Sequence, residues 1–249
     1  MYRYRDKESK ILKQFSRFAH LYDSYNIIQA EVAKTLIQQI PKKEYACIVD
    51  IGCGSGEIYK NLKQTKVDFK KFIALDSSKE MLDIHPIEQK VYKYYLDFNT
   101  IESYKKLNKI QENILLLSSS ALQWGEDLDF IFRELSKNSN TIYFAIFTSN
   151  TFKTLHKSAN IDSPIYSEKV LKEIISRYYD ADFEVREYRL EFETVREMFK
   201  YIKKSGVSGG EKQLTYTQIK KLMDSYPLNY LEFEVLFVSA TSLADASKL

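Results

Sequence analysis

Short apolar segments alternate with amphipathic segments through the first 150 residues. Apolar runs of about four to eight residues that are rich in β-branched side chains predict buried strands, and apolar residues at helical spacing predict helices. The predicted strands cover residues 45–51, 71–75, 91–96, 114–117 and 141–147, and the predicted helices between them cover residues 58–66, 78–82 and 128–135. Because such alternation indicates βαβ units, we expect an α/β fold with a parallel sheet.

The two ends of the chain follow a different order. Before the first strand, apolar residues recur at helical spacing between Ile11 and Ile37, and Pro41 ends this pattern. After residue 150 the pattern predicts helices over 167–178, 194–204 and 216–223 and strands over 183–192 and 231–239. Two predicted helices therefore lie between the last two strands.

Composition and charge exclude several classes of protein. A chain of 249 residues with 44% hydrophobic content can bury a core, and a formal charge of +3 is too small to indicate nucleic acid or a membrane as the partner. Cys47 and Cys53 form neither a CxxC pair nor a zinc-type cluster with the three histidines. No apolar run approaches the roughly 18 residues of a membrane span, and the first ten residues lack a signal-peptide pattern. We therefore expect a metal-free, soluble, cytoplasmic protein.

Three of the seven glycines lie within five residues, at Gly52, Gly54 and Gly56, directly after the first predicted strand. Glycine allows a positive φ and close approach of a ligand, and a following helix start offers free N–H groups. The phosphate-loop pattern is absent, and Glu57 stands where a dinucleotide fingerprint needs a small residue. With Asp50 before it, the remaining acidic-x-G-x-G-x-G pattern indicates S-adenosylmethionine.

Two further carboxylates follow the next predicted strands. Asp76 lies 20 residues after Gly56, where an acid can accept hydrogen bonds from both ribose hydroxyls. Asp97 could accept from the adenine amino group while Phe98 packs on the ring, although a solvated loop position also fits Asp97. Cys53 is expected to be a small residue that fills the turn, because no neighbouring group in the sequence marks its thiolate as stabilised.

Four other segments carry a resemblance to a known family. Residues 15–23 match F-x-R-x-A-x-x-Y-[DE], with Gln29 in step, and residues 118–124 are similar to S-N-L-A-[LV]-Q-W, with Ser119 in place of asparagine. Residues 132–135 and 202–207 are similar to L-R-E-L and L-K-x-x-G-[AV]. With the glycine turn, these segments resemble class I S-adenosylmethionine-dependent methyltransferases, and within them the BioC-type malonyl-acyl-carrier-protein O-methyltransferases of biotin synthesis.

The resemblance implies a Rossmann-like sheet of seven strands, mostly parallel, with helices on both faces. We expect a single methyltransferase domain over residues 1–249. Its parts are an N-terminal helical cap (1–40), a cofactor-binding core (45–191) and a helical lid (192–229) inserted before the last strand (231–239).

The resemblance also implies transfer of the methyl group of S-adenosylmethionine to the free carboxylate of a malonyl thioester on acyl-carrier protein. A carboxylic acid with a pKa near 4 is ionised at neutral pH, so we expect no general base. Tyr22 and Trp124 are expected to position the reactants. The expected cofactor-binding residues are Asp50, Gly52, Cys53, Gly54, Gly56, Asp76, Ser77, Met81, Asp97, Phe98 and Ser118. The expected substrate and carrier residues are Arg17, Tyr22, Trp124, Lys200 and Lys203.

Alternatives stay open at this point. Tyr22 and Trp124 also fit core positions, Arg17 fits a solvated position, and Lys200 and Lys203 fit the solvated face of a lysine-rich helix. Another class I small-molecule O- or N-methyltransferase would share the glycine turn and its carboxylates, as would a non-catalytic S-adenosylmethionine-binding protein. The low net charge and the missing N-P-P-Y motif argue against a nucleic-acid methyltransferase.

Overall fold

Seven strands form one sheet in the computed structural model, which describes residues 25–110, 113–205 and 214–243. The strands are β1 (Glu44–Ile51), β2 (Asp68–Asp76), β3 (Val91–Tyr95), β4 (Ile114–Ser119), β5 (Thr141–Phe147), β6 (Tyr179–Glu191) and β7 (Tyr230–Ser242). Their order is β3-β2-β1-β4-β5-β7-β6. Strands β1 to β5 run parallel, and β7 pairs antiparallel with both β5 and β6. The predicted seven-stranded, mostly parallel α/β sheet is confirmed.

Helices cover both faces of this sheet. The described α-helices are α1 (Ile27–Gln39), α2 (Glu57–Leu62), α3 (Lys79–Ile84), α4 (Ile101–Leu107), α5 (Leu128–Ser136), α6 (Lys153–Ala159), α7 (Glu168–Ile175), α8 (Val195–Ser205) and α9 (Tyr216–Ser225). A short 3₁₀ helix, Leu122–Trp124, follows β4. None of the described helices combines the length and the apolar content that a bilayer crossing requires.

Two apolar cores lie on opposite faces of the sheet, and each central strand contributes to both. In β5, Tyr143 and Ala145 pack with α1, α8 and α9, whereas Ile142, Phe144 and Ile146 pack with α4, α5 and α7. A strand that is buried on both faces needs apolar residues at nearly every position. The unbroken apolar runs of the sequence therefore predicted these strands well.

Helices α4 and α6 were not predicted, and β6 is longer than predicted. Helix α6 buries none of its residues, so it has no apolar periodicity that could indicate a helix. Strand β6 begins at Tyr179 rather than at residue 183, because its first residues pair with β7 although Asp180 and Asp182 are polar. Pairing with a neighbour thus extends a strand beyond its apolar pattern.

A buried carboxylate holds the turn between β5 and α6. Glu234 on β7 is 8% exposed and accepts hydrogen bonds from the Thr148 hydroxyl and from Asn150 Nδ2. The Thr151 hydroxyl donates to the Glu234 carbonyl at 3.2 Å. Phe152, which follows, has a φ of 59°. The turn after β5 is therefore fixed by polar contacts to β7.

The strand order reverses between β1 and β4, which are neighbours at the centre of the sheet. In open α/β sheets, ligands bind beyond the carboxyl ends of the strands at such a reversal, because the connections leave in opposite directions and open a crevice. The glycine turn follows β1 at this point. The fold therefore places the turn where a ligand is expected.

Candidate functional site

The glycine turn has a backbone that only glycine adopts easily. Gly52, Gly54 and Gly56 have φ values of 69°, 51° and 92°, in the left-handed region that is unfavourable for residues with a Cβ. The N–H groups of Gly52 and Cys53 both donate to the Leu75 carbonyl, at 2.8 Å and 3.0 Å. The turn is therefore tied to the end of β2.

The three glycines differ in what surrounds them. A Cβ on Gly52 would lie 2.3 Å from Ala121 Cβ, and a Cβ on Gly56 would lie 2.7 Å from Pro86 Cδ. A Cβ on Gly54 would meet no atom of the described residues within 4 Å. Gly52 and Gly56 are thus required by packing, whereas Gly54 borders open space that a ligand can occupy.

Asp76, at the end of β2, connects the glycine turn to the next helix. Its Oδ2 accepts from the Gly54 N–H at 2.8 Å and its Oδ1 accepts from the Ser78 N–H at 2.7 Å. Burial raises the pKa of Asp76 to about 6, although the N–H groups of Ser78, Gly54 and Ser77 act in the opposite direction. Each oxygen keeps a lone pair for a further donor such as a ribose hydroxyl.

Asp50, near the carboxyl end of β1, is 1% exposed. Neither of its carboxyl oxygens has a hydrogen-bond partner among the described residues. Burial, and then the charge of Asp76, raises the pKa of Asp50 well above its ordinary value. An unpaired buried carboxyl is costly, so a donor from a bound ligand is the natural partner for Asp50.

Asp97 and Phe98 follow β3 on the same edge of the sheet. Asp97 Oδ1 accepts from the backbone N–H and the side-chain amide of Asn99, at 2.9 Å and 3.0 Å, which leaves Oδ2 open for a ligand. The Phe98 ring is 8% exposed and lies beside Gly52, with Cε1 3.8 Å from where a Cβ on that glycine would be. The ring therefore borders the glycine turn.

The other expected cofactor residues lie around this turn. Met81 is 2% exposed in the first turn of α3, and Ser77 is partly exposed beside Asp76. The Ser118 hydroxyl donates to the Ile51 carbonyl at 2.7 Å, so it joins β4 to β1. Burial, followed by the nearby carboxylates, raises the pKa of the Cys53 thiol well above its usual range. The thiol is therefore protonated, and the role of Cys53 stays a prediction.

The structure describes only some of the expected substrate and carrier residues. Trp124 is partly buried in the 3₁₀ helix after β4, and Lys200 is exposed on α8. Arg17 and Tyr22 lie outside the described residues, as does the side chain of Lys203. Their roles stay predictions.

The residue before α1 contacts the helix that follows the glycine turn, which the sequence did not predict. Asn26, 5% exposed, donates from Nδ2 to Glu57 Oε1 at 3.3 Å, and Glu57 is the first residue of α2. The ring of Tyr25 lies 5.9 Å from that of Tyr201 on α8. Helices α1 and α8 are thus joined beside the turn, through residues far apart in the sequence.

His85 packs behind the turn, although no motif of the sequence analysis includes this residue. It is 1% exposed, packs its ring against Tyr59 and Phe72, and has Cδ2 2.9 Å from where a Cβ on Gly56 would be. Burial lowers the pKa of His85 to about 4, so the ring is neutral at neutral pH. A contact between residues 85 and 56 has no signal in local sequence.

The chain is similar in sequence to curated malonyl-[acyl-carrier protein] O-methyltransferases. No protein-family model matches the chain. A malonyl-[acyl-carrier protein] O-methyltransferase 2 of Ilyobacter polytropus is 26% identical over 243 residues, which cover 90% of this chain and 91% of the relative. A malonyl-[acyl-carrier protein] O-methyltransferase of Acetivibrio thermocellus is 28% identical over 236 residues, which cover 83% of this chain and 81% of the relative.

Solved structures share the fold. One is a methyltransferase in a complex with the Haloferax volcanii Trm112 methyltransferase activator, with a TM-score of 0.57, 16% identity, and 96% of this chain and 99% of that chain covered. Another is the plantazolicin methyltransferase BpumL in complex with SAH, with a TM-score of 0.53, 15% identity, and 93% and 94% covered. The chain therefore has the class I methyltransferase fold and, as its motifs predicted, is similar over most of its length to malonyl-[acyl-carrier protein] O-methyltransferases.

Proposed function

We propose that the protein is an S-adenosylmethionine-dependent O-methyltransferase that acts on the free carboxylate of a malonyl thioester carried by acyl-carrier protein. Its product would be the malonyl methyl ester that starts pimeloyl and biotin synthesis. The observation that carries the proposal is the buried, unpaired carboxyl of Asp50 beside an open glycine turn, at the reversal point of the sheet. The relatives named malonyl-[acyl-carrier protein] O-methyltransferase support the acceptor.

The residues around the turn fit S-adenosylmethionine. The two free oxygens of Asp50 suit its ammonium group, and the open space at Gly54 gives room for close approach. The remaining lone pairs of Asp76 suit the ribose hydroxyls, and Asp97 Oδ2 with the Phe98 ring suits the adenine. When bound, this cofactor supplies an electrophilic methyl group.

The residues beside the turn bind and shield rather than exchange protons. A malonyl carboxylate is already ionised at neutral pH, so it attacks without a general base. The thiol of Cys53 is held protonated by burial, and the His85 ring has Nδ1 3.0 Å from the Pro86 carbonyl and packs behind Gly56. The buried side chains of Phe98 and Ala121 lie against Gly52, where they would exclude water once the cofactor fills the open space at Gly54. The chain thus contributes alignment and a dry environment.

Calorimetry tests the cofactor first. We expect S-adenosylmethionine to bind the wild-type protein and to bind Asp76→Ala at least about tenfold more weakly, because the variant loses both the ribose acceptor and the Gly54 contact. Asp83→Ala is the matched control, since Asp83 is exposed on the neighbouring helix α3. A wild-type protein that does not bind the cofactor would refute every methyltransferase function.

Product analysis tests the acceptor. The protein is incubated with isotope-labelled cofactor and malonyl-, succinyl- or glutaryl-acyl-carrier protein, and the products are identified by mass spectrometry. We expect a base-labile methyl ester on the malonyl carrier. Methylation of an amine or of RNA alone would contradict the proposal and would favour a different class I enzyme.

A further inference from the structure

Three helices form a continuous layer on one face of the sheet. Helix α9 contacts both α8 and α6. The apolar sides of α8 and α9 are buried in the core that also contains α1, with Met198 and Leu222 at 0% and 6% exposure, and the partly buried Leu155 of α6 packs against the same core. The rings of Phe199 and Tyr226 pack edge to face, 5.9 Å apart, and join α8 to the end of α9. The opposite sides of the three helices face solvent.

The solvent side of this layer carries cations without ion-pair partners among the described residues. We call this set the basic face; its members are Lys157, Arg196, Lys200, Lys220 and Lys221, all exposed. Many exposed cations elsewhere are paired, as Lys63 is with Glu88 and Arg177 with Asp129. In the described side chains of the three helices, the acidic residues are Glu197 and Asp224. The basic face therefore keeps an excess of positive charge.

Apolar side chains lie next to these cations. On α9, Tyr216 is 83% exposed and Ile219 is 36% exposed. Tyr216, Ile219 and Lys220 occupy positions i, i+3 and i+4, so they lie on one side of the helix. Exposed tyrosine beside an aliphatic residue and a cation is typical of a protein interface, whereas a nucleic-acid surface is dominated by charge.

The layer is connected to the candidate site. Tyr201 of α8 contacts Tyr25, and the adjacent Asn26 donates to Glu57 at the start of the helix that follows the glycine turn. Helix α6 begins after the turn at the carboxyl end of β5, the same sheet edge that carries Asp50 and Asp76. A partner seated on the layer is therefore beside the crevice.

We propose that the basic face, with Tyr216 and Ile219, docks the acidic carrier protein that brings the malonyl thioester to the site. This inference rests on the proposed function and adds the surface that recognises the partner. Complementary charge accelerates the encounter and sets the orientation, and the apolar residues of α9 hold the docked complex. A small thioester without the carrier has no contact with this surface.

Binding to purified malonyl-acyl-carrier protein tests the proposal directly. The test variant is Lys200→Glu/Lys220→Glu, and the matched control is Lys105→Glu/Lys109→Glu. The control makes the same charge change at exposed residues in and just after α4, on the other face of the sheet. By fluorescence anisotropy at low salt, we expect the Kd for the carrier to rise about tenfold in the test variant and less than about twofold in the control. Melting temperatures verify that both variants fold.

A kinetic measurement separates docking from chemistry. We expect the ratio of kcat/KM for malonyl carrier to kcat/KM for malonyl-N-acetylcysteamine to fall about tenfold in the test variant only. Equal effects of the two variants, or no carrier binding by the wild-type protein, would overturn the docking surface. Loss of binding to an RNA oligonucleotide without loss of carrier binding would also overturn it. Carrier binding that depends on the basic face, without any methyl transfer, would support the surface and refute the proposed reaction.

Discussion

Alanine at Gly52 and alanine at Gly54 perturb the same turn through different physical effects. Both positions have a positive φ, 69° and 51°, so alanine is strained at either one. The surroundings differ, because the new Cβ at position 52 would lie 2.3 Å from Ala121 Cβ, whereas at position 54 it would meet open space. The two variants therefore separate a requirement of folding from a requirement of ligand binding.

The structure gives the size of each effect. A left-handed backbone costs a residue with a Cβ about 1–2 kcal/mol. Gly52→Ala adds an overpacking cost of about 1–3 kcal/mol, so the total loss in the free energy of unfolding is about 2–5 kcal/mol. Gly54→Ala carries the backbone cost of about 1–2 kcal/mol alone. For a protein of this size, each kcal/mol lowers the Tm by about 2–4 °C.

For cofactor affinity we expect the opposite order, with the larger loss in Gly54→Ala. The Cβ of Gly54→Ala would fill the space that S-adenosylmethionine is proposed to use, and overcrowding of about 1–3 kcal/mol weakens binding about 5- to 150-fold. Calorimetry gives the Kd for S-adenosylmethionine, and urea unfolding gives the stability of each variant. A Gly54→Ala variant that binds the cofactor as the wild-type protein does would show that the open space is not the cofactor site.

Three further predictions concern buried polar groups. His85 has a pKa lowered to about 4, so on acidification the unfolded chain binds a proton at this residue before the folded protein does. We therefore expect the free energy of unfolding to fall by about 2–3 kcal/mol between about pH 6.5 and 4. Urea titrations should show a smaller fall in His85→Gln. Glu234→Ala leaves the donors of the turn after β5 without an acceptor, so it should lower the free energy of unfolding by about 1–3 kcal/mol. Glu187→Ala, at an exposed position, should lower it by less than about 1 kcal/mol in the same assay. Asp50 has a raised pKa, so ionisation of its carboxyl destabilises the ligand-free protein as the pH rises above about 4. Asp50→Asn should therefore increase the free energy of unfolding at pH 7 while it weakens S-adenosylmethionine binding. A decrease in both stability and affinity would contradict this account.

The sequence predicted the parts of the structure that depend on neighbouring residues. The four parallel strands β1, β2, β4 and β5 appear as apolar runs because both of their faces contribute to buried cores. The glycine turn is a local backbone requirement, and the structure gives all three glycines a positive φ. Asp76 ends β2 as predicted, and its carboxylate lies at the turn because parallel strands share one carboxyl edge.

Contacts between distant residues could not be predicted in the same way. Asn26 reaches Glu57 across 31 residues, and His85 lies behind Gly56, although neither residue belongs to a local motif. Both contacts depend on how helices and loops pack after the sheet has formed. The same reason applies to the start of β6, whose polar residues form a strand because β7 provides the hydrogen-bond partners.

The position of β7 has a consequence for the order in which the sheet can be completed. It lies between β5 and β6, so β6 hydrogen-bonds to no other strand in the described sheet. During synthesis, β6 leaves the ribosome before β7 and has no place in the sheet until β7 arrives. For that interval, the edge of β5 and the whole of β6 are exposed as unpaired strands, which favours aggregation. A chain cut after residue 229 would therefore lose two strands rather than one.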